Sequence, residues 1–205
     1  NVSSDNHEGF FAKIRKKIVD ISYNKQSKKD LYFYLALFLR HTFSGLPLVF
    51  VGNKNFLDVG CGDNYNVNLM NKYGWNSYGF EIDTKNRKDN IFYDSDLSHV
   101  SFDTMVFDYI RVWHVLEHIS SPKRFIKTLY SLLSSNGIIE FALPNTKSIY
   151  AKLFGKYWYN RDIPRHIINY NPINLKIFLD QYNFKIIKIK YVSVGGFVGS
   201  FQNLI

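Results

Sequence analysis

The stretch Asn55-Phe56-Leu57-Asp58-Val59-Gly60-Cys61-Gly62 constrains this chain more than any other. Phe56, Leu57 and Val59 suit a short strand covered on both faces, as in a parallel sheet. The strand runs straight into a glycine turn. Gly60 and Gly62 carry no Cβ, so the turn can be tight and a ligand can lie against bare backbone. Tyr65 to Tyr73 reads as the helix that follows, closed by Gly74. A strand, a glycine loop and a helix N-terminus together cradle a nucleotide. The glycines alone do not choose which nucleotide. A dinucleotide fingerprint needs a small residue where this chain has Tyr65, and that ring argues against a pyrophosphate packed on the helix start. Asn76 to Phe80 reads as a second strand with Glu81 at its end, where a carboxylate can accept both hydroxyls of a ribose.

The 205 residues suffice for one α/β domain with a small appendage, and a hydrophobic content of 46% suffices for a single core. Aromatic residues make up 18%, which favours a ring-lined pocket or an aromatic interface over a purely aliphatic core. The one cysteine, Cys61, excludes an intrachain disulfide and fits a reducing cytoplasm. A formal charge of +9 suits an anionic lipid or a phosphorylated substrate. The lysines are dispersed, with local clusters at Lys13 to Lys17 and Lys25 to Lys29. Without an arginine-rich run or zinc-knuckle spacing, a nucleic-acid partner has little to stand on. No secretory leader is visible, and no apolar run reaches the length of a membrane span.

Residues 1–47 are expected to form a helical extension and 48–205 the main domain. Phe10, Phe11, Ile14, Ile18 and Ile21 recur at helical spacing with a basic polar face between them. A second helix runs from Leu31 to about Phe43 and is apolar almost all round. A lid, a homodimer contact and a peripheral contact on the inner membrane face all fit such a pair. In the main domain Ile91 to Tyr93 is a third strand and Thr104 to Trp113 a fourth. Pro122 opens a helix that is expected to reach Ser135, with Gly137 just past its end. Ile138 to Leu143 is the fifth strand, Ser148 to Phe154 a short helix, Pro172 to Tyr182 a helix, and Phe184 to Val192 a strand alternating Ile with Lys. Tyr157 to His166 has neither period. The only metal-like spacing is His114-x-x-Glu117-His118, at a strand-to-helix junction, and the expectation is no metal.

Several ordered motifs resemble those of class I S-adenosylmethionine-dependent methyltransferases. They are Leu57-Asp58-Val59-Gly60-Cys61-Gly62, Tyr78-Gly79-Phe80-Glu81, Phe107-Asp108-Tyr109-Ile110, Leu116-Glu117-His118, Leu143-Pro144-Asn145 and Pro164-Arg165-His166. The later ones are similar to the subgroup that includes ubiquinone-type and cell-surface-glycan methyltransferases. The family usually has a third glycine where this chain has Asn64, a residue that tolerates the left-handed backbone a glycine would supply. The resemblance implies an α/β Rossmann-like fold, with a mostly parallel sheet flanked by helices, and S-adenosylmethionine as cofactor. It implies cofactor contacts from Asp58, Gly60, Cys61, Gly62, Glu81 and His114, with Asp96 taking the adenine amino group and Leu97 against the ring. An insert near residues 145–171 would build the acceptor pocket, with Tyr157, Trp158, Arg161 and Arg165 as substrate contacts.

A hydroxyl on a small molecule, a sugar or a lipid-linked glycan is the expected acceptor, and it needs a base near neutral pH. His166 is the first candidate and His114 the second. Arg165 beside His166 is expected to favour its neutral form. Two rivals stay open: a non-catalytic module that binds the cofactor or a partner, and a nicotinamide oxidoreductase, against which Tyr65 counts.

Overall fold

The structure is a computed structural model. It describes residues 54–85 and 88–191, together with residues 17, 18, 21, 31, 34 and 200. The chain divides into two compact units, Asn1–Val49 and Phe50–Ile205. In the first unit the five described residues are helical, with Ile18 buried and Leu31 and Tyr34 exposed. The two helices expected there otherwise lie outside the described residues. Among those described, no helix is long and apolar enough to cross a membrane.

The second unit is built on β1 (Asn55–Val59), β2 (Asn76–Glu81), β3 (Ile91–Tyr93), β4 (Phe107–Trp113) and β5 (Leu133–Ala142). They form one sheet in the order β3-β2-β1-β4-β5, and every pairing is parallel. The chain crosses from one half of the sheet to the other between β3 and β4. That reversal places a crevice beyond the carboxyl ends of β1 and β4, where open α/β sheets take their ligands. The expected Rossmann-like architecture is the one observed.

Both faces are covered, as the near-continuous apolar strands require. On one face Leu57, Val59, Ile110 and Val112 pack with Phe125, Ile126 and Leu129 of α2 (Pro122–Leu132) and Leu179 of α4 (Pro172–Asp180). Each such side chain contributes about 1.5–3 kcal/mol by leaving water. On the other face Phe56 and Tyr109 pack with Trp75 and with Met70 of α1 (Tyr65–Lys72). Val67 and Met70 are the buried positions of α1, three residues apart on one face. Asn171 caps α4 in a reciprocal box with Asn174.

Two expectations fail. The helix over Pro122 does not reach Ser135. It ends at Leu132, and Leu133 is already extended, with φ −86° and ψ 134°. β5 therefore starts at Leu133, which pairs with Phe107 across a register shift. Gly137 is not a helix stop. A Cβ there would lie 2.7 Å from a Leu133 side-chain carbon and 2.9 Å from the Phe107 carbonyl oxygen, so the strand needs its bare backbone. The second failure is the strand over Phe184 to Val192. Through Tyr191 the segment is irregular. Phe184 and Ile186 still pack on the core, while Ile187 and Ile189 are exposed. The alternation is real, but a strand also needs a ladder partner.

The glycine turn makes one stability prediction. Gly60 has φ +75°, and a Cβ built on it would sit 2.4 Å from Val115 Cγ2. Gly60→Ala adds left-handed strain to that collision and is expected to cost about 1–3 kcal/mol in a urea melt. A variant as stable as the parent would show that the turn and the loop after β4 are not packed this way.

Candidate active site

The site is built on the turn after β1. The Gly60 and Cys61 N–H groups both donate to the Phe80 carbonyl, at 2.8 and 3.2 Å, which folds the turn onto β2. Gly62 has φ +53°, and nothing stands within 4 Å of where a Cβ would be. A ligand can lie against that bare backbone. Asn64 adopts the left-handed conformation, φ 61° and ψ 16°, as the substitution for glycine required. Its Oδ1 accepts from Asn68 and from Lys88 Nζ, at 3.1 and 3.2 Å.

Glu81 closes this cradle. Its Oε2 accepts the Gly62 N–H at 2.8 Å, and Oε1 accepts the N–H groups of Ile82 and Asp83 at 2.8 and 3.3 Å. The carboxylate is thus aimed at the turn and held at the end of β2. A carboxylate offers about four lone-pair sites, so a ribose would share Glu81 with the Gly62 N–H or displace it. The Cys61 side chain is buried and packs on Gly79. Burial, reinforced by the charges of Asp58 and Glu81, pushes its thiol up to about 12, so it stays protonated and inert at neutral pH.

Asp58 lies beneath the turn, with no exposed surface. Register places it beside Arg111 of β4, which in turn lies beside Glu140 of β5. Arg111 Nη1 donates to both Asp58 oxygens, at 2.9 and 3.1 Å. Its guanidinium stacks on Trp113, 4.0 Å from the ring centroid. The Tyr109 hydroxyl donates to Glu140 at 2.9 Å. Burial raises the pKa of Asp58 above the usual carboxylate value and outweighs the opposing pull of Arg111. Burial raises Glu140 likewise, against Tyr109 and Arg111. Sequence reasoning missed Arg111 and Glu140. An arginine inside an apolar strand was the available signal, since a buried cation demands a buried acid.

Asp96 is occupied too. It caps the turn Leu97–His99 by accepting the backbone N–H and the hydroxyl of Ser98, at 2.8 and 2.7 Å, and it forms an ion pair with Arg124. The Ser98 bonds are the main reason its pKa lies below the usual value. Leu97 is part of the core.

The loop after β4 and the insert after β5 meet around Glu117. His114 has φ +53° and an exposed side chain, with Nδ1 3.3 Å from Glu117 Oε1. The N–H groups of Ile167 and Ile168 both donate to the Glu117 carbonyl, at 2.9 and 3.2 Å, which ties the insert to the loop. The His118 and His166 rings stand edge to face, 4.8 Å between centroids. Burial, with the Glu117 charge behind it, pushes the nearby Tyr170 hydroxyl up to about 12. The insert holds α3 (Ile149–Phe154), capped by Ser148, then two short turns, Gly155–Tyr157 and Tyr159–Arg161. Tyr157, Arg161 and Arg165 are exposed there, whereas Trp158 is buried at 6%. Trp158 therefore packs the insert and offers an acceptor no open face. Arg165 pairs with Asp162. Its guanidinium takes Asp162 by two nitrogens, at 3.1 and 2.9 Å, and the charged group nearest His166 Nε2 in an ion pair is Asp162, at 3.9 Å.

A family model described as a methyltransferase domain matches residues 12–189. The chain belongs to that family. No curated protein matches the sequence. Among solved structures, an S-adenosylmethionine-dependent methyltransferase from Archaeoglobus fulgidus is 18% identical, over 96% of this chain and 90% of that one, with a TM-score of 0.53. The YcgJ protein from Bacillus subtilis is 12% identical over 73% of this chain and 70% of its own, with a TM-score of 0.54. The chain spans about half, 47%, of the length of a similar Mesorhizobium loti S-adenosylmethionine-dependent methyltransferase that is 22% identical over 44% of this chain, with a TM-score of 0.38.

Proposed function

We propose that the protein moves the methyl group of S-adenosylmethionine onto a hydroxyl of a small-molecule or glycan acceptor. As a member of its family the chain is a methyltransferase of class I, with S-adenosylmethionine as cofactor. The observation that carries the reading is the cradle: bare backbone at Gly62 in the turn beyond β1, with the Glu81 carboxylate held against it. That fits a nucleoside with a free ribose, and Tyr65 stands where a pyrophosphate would need a small residue.

In this reading Gly60, Cys61 and Gly62 offer backbone, Glu81 accepts the ribose hydroxyls, and Asp96 shares its carboxylate with the adenine amino group. Asp58 acts from below, shaping the turn through Arg111, and His114 lines the rim. The bound cofactor supplies a methyl group already activated by its sulfonium. The chain's own work is then to orient the acceptor and to take a proton. The insert after β5 faces the acceptor with Tyr157, Arg161 and Arg165, an aromatic and cationic set suited to a ring or a phosphorylated group. His166 takes the proton.

Glu81→Ala tests the cofactor assignment. It removes a charge-assisted contact to the ribose and the clamp on Gly62, and is expected to weaken S-adenosylhomocysteine binding by about 2–3 kcal/mol in calorimetry. NAD should give no heat with the parent. Equal affinity for S-adenosylhomocysteine in variant and parent would place the ribose elsewhere.

A further inference from the structure

We propose that Glu117, His118 and His166 form a binding site for a first-row divalent cation of the zinc class. Among the described residues this is the one group of three whose potential ligand atoms, one from each side chain, lie within 4.8 Å of one another. Proximity alone would not carry the assignment, and two further features do.

The first is the state of the two rings. His118 Nδ1 faces the Arg165 carbonyl oxygen at 2.9 Å, and His166 Nδ1 faces the Asn160 carbonyl oxygen at 2.9 Å. A carbonyl only accepts, so both Nδ1 atoms carry hydrogen. In the neutral rings Nε2 then carries the lone pair. A ring that donates one N–H to a backbone carbonyl and presents the other nitrogen bare is the usual arrangement of a metal-bound histidine, with tautomer and orientation fixed in advance.

The second is Glu117. Its residue is 1% exposed, and its Oε2 is buried without a hydrogen-bond partner. His114 Nδ1 reaches only the other oxygen. A buried carboxylate oxygen left unsatisfied costs about 1–3 kcal/mol, more when charged. A cation between Glu117 and the two rings removes that cost. Asp162 stays outside the set, because Arg165 already holds it.

Two imidazoles and one carboxylate suit zinc, cobalt or iron(II), and leave positions open for water or a ligand oxygen. Calcium and magnesium prefer all-oxygen shells. Zinc ligands stand about 3.5 Å apart at bond lengths of roughly 2.0–2.2 Å, so the group must close from 4.8 Å. His118 is exposed and can move. Such an ion would bolt the insert, through His166, to the loop after β4, through Glu117 and His118. It would also occupy the lone pair that His166 needs as a base, so the two uses are alternatives.

The test needs no methyl acceptor. The full chain, stripped with a chelator, is titrated with Zn²⁺ and with Co²⁺ at neutral pH by calorimetry. We expect one equivalent. Glu117→Gln, His118→Ala and His166→Ala should each weaken binding at least about 100-fold, while His99→Ala, which removes a surface imidazole paired with Asp94, changes nothing. A wild-type chain that takes no equivalent, or one whose binding follows His99 instead, overturns the site. His118→Ala alters an exposed ring, so it keeps the test decisive if the Glu117 variant does not fold. As a second readout, Zn²⁺ at a hundredfold excess over its Kd should raise the wild-type melting temperature by about 5–10 °C and leave that of His118→Ala unmoved. Equal shifts in both also overturn it.

Discussion

Arg111→Met is expected to destabilise the protein by about 3–5 kcal/mol, measured by urea unfolding at neutral pH. Methionine matches the length and packing of the arginine stem, so little of the loss comes from volume. The loss comes from Asp58. That carboxylate has no exposed surface, and Arg111 Nη1 bonds both its oxygens. Without the guanidinium it must either stay charged in a dry site or take up a proton that water gives back freely. The double variant Asp58→Asn, Arg111→Met should recover most of the loss, because it removes both charges together. The pH dependence has a definite sign. Burial already holds the folded pKa of Asp58 above its ordinary 3.8, and losing Arg111 raises it further. The folded state then binds a proton that the unfolded state lacks across the window opening at 3.8. Stability is fully present below that window and is lost as pH rises through the folded value. The Arg111→Met deficit should therefore shrink as the melts move from neutral pH towards pH 4. A deficit that is constant with pH, or absent, would mean that Asp58 is not held by this pair.

That pair shows where the sequence stops being readable. The stretch Asn55–Val59 announced a buried strand by its own residues, and the glycines announced the turn. Both are local signals, and β1, α1, β2 and β3 fall where those signals put them. Asp58 looked like a ligand contact because it precedes the turn. Its partner lies 53 residues away, and only the register of β1 against β4 brings the two together. Ser134 to Gly137 carries the residues of a helix stop. The strand begins at Leu133 all the same, because Phe107 offers it a partner. The Ile–Lys alternation after Phe184 carries a strand's pattern and finds no ladder through Tyr191. Trp158 sits among exposed rings and charges in sequence, yet it is buried. Chemical type can be read from a residue, and its direction cannot. The approach of His166 to His118, from the insert to the loop after β4, belongs to the same class of fact.

His166→Ala is expected to keep S-adenosylhomocysteine binding and to lower methyl transfer by about 10²–10⁴-fold, the usual worth of a positioned base. The comparison belongs in chelator, so that no cation competes for the ring. Three observations favour this histidine over His114. The His166 side chain is only 10% exposed, whereas that of His114 is 64% exposed. A proton acceptor screened from water keeps its orientation. His166 Nδ1 donates to the Asn160 carbonyl, which leaves Nε2 as the basic atom. Finally, His166 sits on the insert, beside the residues proposed to hold the acceptor. Its electrostatic neighbour is the Asp162 carboxylate, 3.9 Å away, and that acid stabilises the imidazolium formed as the proton arrives. Asp162→Asn should therefore slow transfer in the same direction by a smaller factor. A merely structural role for His166 would instead lower stability or S-adenosylhomocysteine affinity. If His166→Ala transfers at the parental rate in chelator, the proton leaves by another route. His114→Ala is then the variant expected to fail.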